Sequence, residues 1–229
     1  MLYPKIQTIF KRDDKGNILP EQITKPEFVA VKDWTYTEKI DGMNMRVIFK
    51  KNDLGNWEVS FGGKTDNAQI PVNLQKYLKE HFTDKADQIG KYFEAHDSSA
   101  RNVIIYGEGY GAGIQKGSAY SKAQKLLAFD MWIDGWWLEP LHAKNICDEL
   151  DIPFVPVLEF ATVEEAIAFV KSKPKTHLAP EIDMPMGELR DATLSQIHDM
   201  EGIVASSRPL MLFRDGTPIK WKLKDRDYR

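Results

Sequence analysis

Five short segments carry side chains whose types and spacing suit phosphate chemistry. In Thr37-Glu38-Lys39-Ile40-Asp41-Gly42-Met43-Asn44-Met45-Arg46 a lysine closes one strand pattern, and a glycine turn leads into the next. A lysine amine becomes a nucleophile when neighbouring cations or burial favour its neutral form. Gly42 would let a phosphate approach the backbone. The plain reading is a surface Lys-Asp pair before a hairpin turn. In Val103-Ile104-Ile105-Tyr106-Gly107-Glu108-Gly109-Tyr110-Gly111-Ala112-Gly113 an apolar strand delivers one carboxylate into a glycine-rich loop. That loop has neither the dinucleotide-binding glycine spacing nor a Gly-Lys-Ser/Thr phosphate loop. Glu108 could hold a ribose hydroxyl or a metal-bound water, or be an exposed charge.

The other three segments are shorter. Leu126 to Trp137 is an aromatic hairpin pattern turning at Asp134-Gly135, whose rings serve as core or present one face to a purine. Met200-Glu201-Gly202-Ile203-Val204-Ala205 puts a carboxylate at the start of a strand. Ile219-Lys220-Trp221-Lys222-Leu223-Lys224 alternates lysines with apolar residues, so three ammonium groups share one face. Such a face is either a solvated edge strand or a phosphate site.

The elements that must position these groups are mostly strands. Patterns rich in Val, Ile and aromatic residues cover 36–51, 57–61, 102–108, 125–137, 154–160, 200–205 and 218–223. Helical periodicity covers 74–93, 140–150 and 162–171, the last opening on a Thr162/Glu165 capping box. Asp13 to Asn17 predicts a turn between two short strands, and Lys173 to Gly187, with three prolines and a glycine, an exposed loop. Strands outnumber helices without alternating regularly with them. The class is α+β, with antiparallel sheets and helices packed outside.

Composition bounds the rest. The chain has 229 residues and a formal net charge of −3, long enough for one large domain or two small ones. One cysteine, Cys147, excludes a disulfide framework and a cysteine zinc site, and reads as a small buried hydrophobe. The five histidines show no ligand spacing. No segment approaches a membrane span, and a cytoplasmic location is expected. The charge is uneven. Arg208 to Arg229 holds seven Lys/Arg against three Asp, a local +4, so the remainder sums to −7.

In order, Lys39-Ile40-Asp41-Gly42, Tyr106-Gly107-Glu108, Phe129-Asp130, Glu201-Gly202-Ile203-Val204 and Lys222-Leu223-Lys224 resemble motifs I, III, IIIa, IV and V of the covalent nucleotidyltransferases. That superfamily comprises RNA ligases, DNA ligases and mRNA capping enzymes. Gly62-Gly63-Lys64-Thr65-Asp66-Asn67-Ala68 and Gly113-Ile114-Gln115 look more like the RNA ligases of phages, of the phage T4 RNA ligase 2 type. The resemblance runs from about Trp34 to Tyr228 and implies an adenylyltransferase domain, antiparallel sheets flanked by helices, similar to the ATP-grasp architecture.

The resemblance also implies roles. Lys39 would attack the α-phosphate of ATP to form a lysyl-AMP, and Lys222 and Lys224 would stabilise the charge at phosphorus, with Lys220 as an auxiliary cation. Glu38 and Ile40 would lie against the nucleotide, Glu38 at the adenine edge through its backbone. Asn44 would help position the α-phosphate or the incoming 5′-phosphate, and Arg46 and Lys64 would be nucleotide-binding. Glu108 would hold the ribose, Phe129 would stack on adenine, and Glu201 would bind Mg²⁺ or Mn²⁺. The implied partners are RNA 5′-phosphate and 3′-hydroxyl ends, nicked duplex among them. Relatives often have arginine where Lys64 stands, which predicts weaker RNA-end contacts.

The expectation is a single nucleotidyltransferase domain over 1–229 without a separate C-terminal or OB domain, so joining would draw on a small surface or an accessory RNA-binding protein. The roughly 33 residues before the motifs favour ATP over NAD⁺. A phage source would place the chain in the host cytoplasm. The alternatives are a minimal DNA ligase, a guanylyltransferase using GTP, and a degenerate RNA-binding adaptor.

Overall fold

The computed structural model describes residues 1–115, 120–178 and 198–228. The chain divides into two compact units. The first comprises 1–3 and 41–154, and the second comprises 4–40 and 155–229.

The second unit is built on a five-stranded sheet. Its strands are β1 (Gln7–Thr8), β4 (Asp33–Lys39), β10 (Val157–Leu158), β11 (Gly202–Arg208) and β12 (Lys220–Lys224), in the order β1-β12-β11-β4-β10. Every pairing is antiparallel except β1 with β12, which departs from the all-antiparallel expectation. A hairpin of β2 (Phe10–Arg12) and β3 (Ile18–Ile23) turns at 13–17 as the sequence predicts. Asp13 accepts the backbone N–H groups of Lys15 and Asn17 there. Helices α1 (Glu27–Ala30) and α5 (Val163–Lys171) complete the unit. Trp34, Tyr36, Ile203, Trp221 and Leu223 form its core with Phe28 and Val170.

At the start of α5, Thr162 Oγ1 accepts the Glu165 N–H at 3.1 Å. The Glu165 carboxylate reaches back to the Ala161 N–H at 2.8 Å, one residue before the position a reciprocal capping box would use.

The first unit holds the second sheet, β6-β5-β7-β8-β9, antiparallel throughout. Its strands are β5 (Met43–Lys51), β6 (Trp57–Gly63), β7 (Asn102–Tyr110), β8 (Lys125–Ile133) and β9 (Trp136–Trp137). Helices α2 (Val72–Phe82), α3 (Ala86–His96) and α4 (Pro140–Glu149) cover one face. Alternation along β5 puts Met45, Val47 and Phe49 into that core, where Leu74, Leu78, Ile89 and Phe93 meet them. Cys147 is buried in the same core, and burial pushes its thiol up to about 12.

Three sequence boundaries are corrected. The 36–51 pattern is two strands in different sheets, divided at Ile40–Gly42. The 74–93 helix is two helices broken at 83–85, where Ala86 N–H reaches Thr83 O instead of continuing the α ladder. The 154–160 strand shrinks to Val157–Leu158, with Phe154 bridging to Ala128. The loop predicted at 173–187 lies outside the described residues from 179 onward.

Candidate functional site

In the second unit the sheet register brings the charged groups into line. Gly202 on β11 lies opposite Lys39 on β4 and opposite Lys224 on β12. Glu201, one residue earlier, accepts the Lys39 ammonium at 2.6 Å through Oε2 and the Lys224 ammonium through Oε1. Lys39 Nζ also reaches the Ile40 carbonyl at 3.4 Å. All three charged side chains are largely buried, so this lysine–carboxylate–lysine bridge is less screened than a surface pair.

Gly202 is required here. Its φ is +152°, and a Cβ would sit 2.1 Å from the Leu223 carbonyl oxygen. Gly202→Ala is therefore expected to cost about 1–3 kcal/mol through strain, and to spread the strands on which Glu201 bridges the lysines. Urea unfolding measures the first effect.

Lys222 lies between the apolar Trp221 and Leu223 on β12. Burial, then the charges of Lys224 and Lys39, lower its ammonium to about 8, with Lys5 adding to them and Glu201 opposing. An unfolded lysine keeps its proton to about 10.4. Between these values the unfolded chain binds more protons, so stability rises with pH across that window; the cost of folding a charged Lys222 is complete below it. Lys222→Met removes the cost. Its stability advantage over the native chain is expected to shrink as pH rises from about 8 to about 10.4, and an advantage independent of pH would contradict the assignment. Lys220, the third lysine of the strand, is buried.

Glu38 is buried beside this row. Its backbone N–H donates to Pro156 O at 2.9 Å, and its carboxylate accepts the Thr176 hydroxyl and the His177 N–H, the latter at 2.9 Å. Burial raises its carboxyl above the ordinary value, and those two hydrogen bonds oppose the shift.

The first unit gathers a different set. Asn44 on β5 lies opposite Glu108 on β7, and Arg46 lies opposite Tyr106, which lies opposite Asp130 on β8. Arg46 is buried, donating to Gly63 O at 2.9 Å and Asp66 Oδ1 at 2.8 Å. Lys64 is exposed just beyond β6. Gly42 permits a close approach, but to the sheet: a Cβ there would lie 2.2 Å from Gly109 O. Phe129 is half-buried and meets Tyr3 edge-on, with ring centroids 5.0 Å apart. Tyr3 donates its hydroxyl to Asp130 Oδ2. Its burial, and then the Asp130 charge, raise the phenol well above its usual range.

Trp137 is buried and stacks on Tyr106 at 5.3 Å, whereas Trp136 at the hairpin tip is exposed. The sequence reading took up Phe129 and passed over Tyr3 and Asp130. The Phe129-Asp130 pair was the available signal, but nothing in sequence links residue 3 to residue 130.

A lysine at a strand end, bridged by a carboxylate to a second lysine and flanked by a third, concentrates positive charge around one carboxylate. It lies in a chain with two sheets of mainly antiparallel strands and few helices, an α+β arrangement of the nucleotidyltransferase fold type. The RNA ligase family model matches residues 32–222, and the chain belongs to that family.

A search of curated protein sequences finds no match. Among solved structures, a mutant Naegleria gruberi RNA ligase with ATP and Mn matches at 18% identity and TM-score 0.61 over 100% of this chain and 57% of that one. Another mutant of that ligase, with AMP and Mn, matches at 18% identity and TM-score 0.57 over 99% and 62%. The same ligase with PPi matches at 19% identity and TM-score 0.53 over 98% and 62%. This chain thus spans less than two thirds of the length of these structures, and at such identities the likeness is one of fold.

Proposed function

We propose that this chain is the nucleotidyltransferase domain of an ATP-dependent RNA ligase that works through a lysyl-AMP. The observation that carries the reading is the row Lys39–Gly202–Lys224 with Glu201 bridging its two lysines. Lys39 Nζ attacks the α-phosphorus: an N–P bond forms, the bond to the pyrophosphate oxygen breaks, and pyrophosphate leaves with the electron pair. The ammonium must first leave Glu201 and give up its proton to solvent, because a protonated lysine has no lone pair. Lys222 and Lys224 then face the charge that builds on the phosphoryl oxygens. Glu108 and Phe129 are assigned to ribose and adenine, and Asn44, Arg46 and Lys64 to phosphate positioning.

Among the described residues no group of three His, Cys, Asp or Glu gathers to hold an ion. The donor set suits Mg²⁺ or Mn²⁺ held by Glu201 together with nucleotide phosphates and water. When bound, such an ion would neutralise the leaving pyrophosphate and compete with Lys39 for the carboxylate.

RNA is the proposed acceptor. AMP moves from Lys39 to a 5′-phosphate, and a 3′-hydroxyl displaces it to make the phosphodiester. The deciding experiment incubates the protein and Mg²⁺ with α-labelled ATP, GTP or NAD⁺ in parallel. A covalent label from ATP alone is expected. No label at all would end the reading, and label from GTP alone would turn it into a capping-type guanylyltransferase.

A further inference from the structure

The end of β4 next to Lys39 departs from ordinary sheet pairing in one place. Strand β10 is the edge of the second unit's sheet, antiparallel to β4, with Val157 opposite Thr37 and Leu158 opposite Tyr36. That register sets Pro156 opposite Glu38, and the Glu38 N–H donates to the Pro156 carbonyl at 2.9 Å. In an antiparallel pair of this kind the two residues exchange both hydrogen bonds. Pro156 has no N–H to give back. The Glu38 carbonyl therefore faces the sheet edge without the ladder donor that any other residue at 156 would supply.

The rest of Glu38 is fixed. Its carboxylate accepts the Thr176 hydroxyl and, at 2.9 Å, the His177 N–H. Those two residues belong to a segment tied to the stretch just before Glu201. The Thr176 N–H donates to His198 O at 3.1 Å, and the Met200 N–H to Pro174 O at 2.8 Å. Proline is at home on an edge strand, where a missing donor usually faces water. Here the carbonyl it faces belongs to a residue that is 2% exposed, and a buried carbonyl calls for a donor.

We propose that Pro156 is a specificity-determining residue, which by withholding an N–H keeps the Glu38 carbonyl as an acceptor for the 6-amino group of adenine. The inference rests on the ligase reading, which puts the nucleotide on Lys39. In a lysyl-nucleotide the phosphorus stands at the end of the lysine side chain. The ribose spans a similar distance, so the base can fold back to the strand end from which Lys39 projects. What it meets there is an acceptor. Adenine brings an amino donor at its 6-position, whereas guanine brings O6, a second acceptor. The carbonyl attracts the first and repels the second, and a site built around a substrate N–H rejects analogues that lack it. An N–H at position 156 would point at the same carbonyl and compete with the base for it.

The test compares ATP with purine riboside triphosphate, which differs only in lacking the 6-amino group. Covalent labelling at varied nucleotide concentration gives the maximal rate and KM, and calorimetry of the whole chain gives binding. The native chain is expected to prefer ATP about tenfold, as for one hydrogen bond. Pro156→Ala restores the N–H and should narrow that preference roughly fivefold, through KM. Pro156→Gly supplies the same N–H and should narrow it likewise, so that failure of one variant to fold leaves the other. Val157→Ala alters the same edge without adding a donor and should keep the native preference.

A preference unchanged in the proline variants would overturn the proposal. So would a native chain indifferent to the 6-amino group, or a loss shared equally by both nucleotides. If no nucleotide labels the chain but the binding preference still depends on Pro156, the base contact stands and the lysyl-AMP reading falls. If ATP labels the chain while the preference is indifferent to Pro156, the ligase reading stands and the role of Pro156 falls.

Discussion

Lys39→Ala is expected to lose all covalent labelling from α-labelled ATP while keeping the fold. The adduct needs a nitrogen at that position, and neither Lys222 nor Lys224 can replace it without giving up its own role on β12. The fold should survive because Glu201 keeps Lys224 as a partner, so the change in stability should stay near about 1 kcal/mol, as for a partly screened ion pair. Lys39→Arg separates the two functions of the side chain. A guanidinium can still pair with Glu201, yet it stays protonated and does not attack phosphorus. Both variants should therefore be unlabelled, with the arginine variant as stable as the native chain. Label on either one would remove Lys39 as the nucleophile.

The largest stability effect is expected at Trp221. Its side chain is 0% exposed and packs edge-on against Trp34 at 5.7 Å and Tyr36 at 5.9 Å. Truncation to alanine should cost about 3–5 kcal/mol, through lost burial and the cavity left behind. That is a large fraction of the roughly 5–15 kcal/mol a domain has in total. The indole N–H, however, finds no acceptor among the described residues, and a buried orphan donor itself costs about 1–3 kcal/mol. Trp221→Phe keeps an aromatic contact and removes that donor, so it should cost clearly less than the alanine change. Urea unfolding followed by circular dichroism measures both, and an alanine cost below about 1 kcal/mol would contradict the packing described. Because Trp221 lies between Lys220 and Lys222, the alanine variant should also lower the yield of adduct.

Most of the longer strands were legible in the sequence because their residues state a period directly: Met45, Val47 and Phe49 face the core, while Asn44 and Arg46 alternate with them. The Asp134-Gly135 turn and the hairpin around 13–17 were legible for the same local reason. The break between α2 and α3 was not. Leu74, Leu78 and Phe82 continue in register to Ile89 and Phe93, all packing into one core, so periodicity runs on across a bend that no proline or glycine marks.

Among the site residues, the lysines and Glu201 stood out by type and order. What surrounds them did not, since it depends on contacts far apart in the chain. Thr176 meets Glu38, Asp227 meets Arg12, and Tyr3 meets Asp130. The two-residue strand β1 carries too little pattern to be read at all, yet it pairs with β12 beside Lys222.

The division of the chain has a consequence for biosynthesis. The unit that holds Lys39 is discontinuous, with residues 41–154 of the other unit threaded between its two parts. On the ribosome, β4 emerges early and must wait for β11 and β12 before its pairing partners exist, whereas the intervening segment has all but its first three residues in one run and can fold first. Lys39 therefore spends most of translation without Glu201, Lys222 or Lys224, and a truncated product ending before residue 200 would carry Lys39 with none of them. On the function proposed above, competence to form the lysyl-AMP would arrive only once β12 has been made.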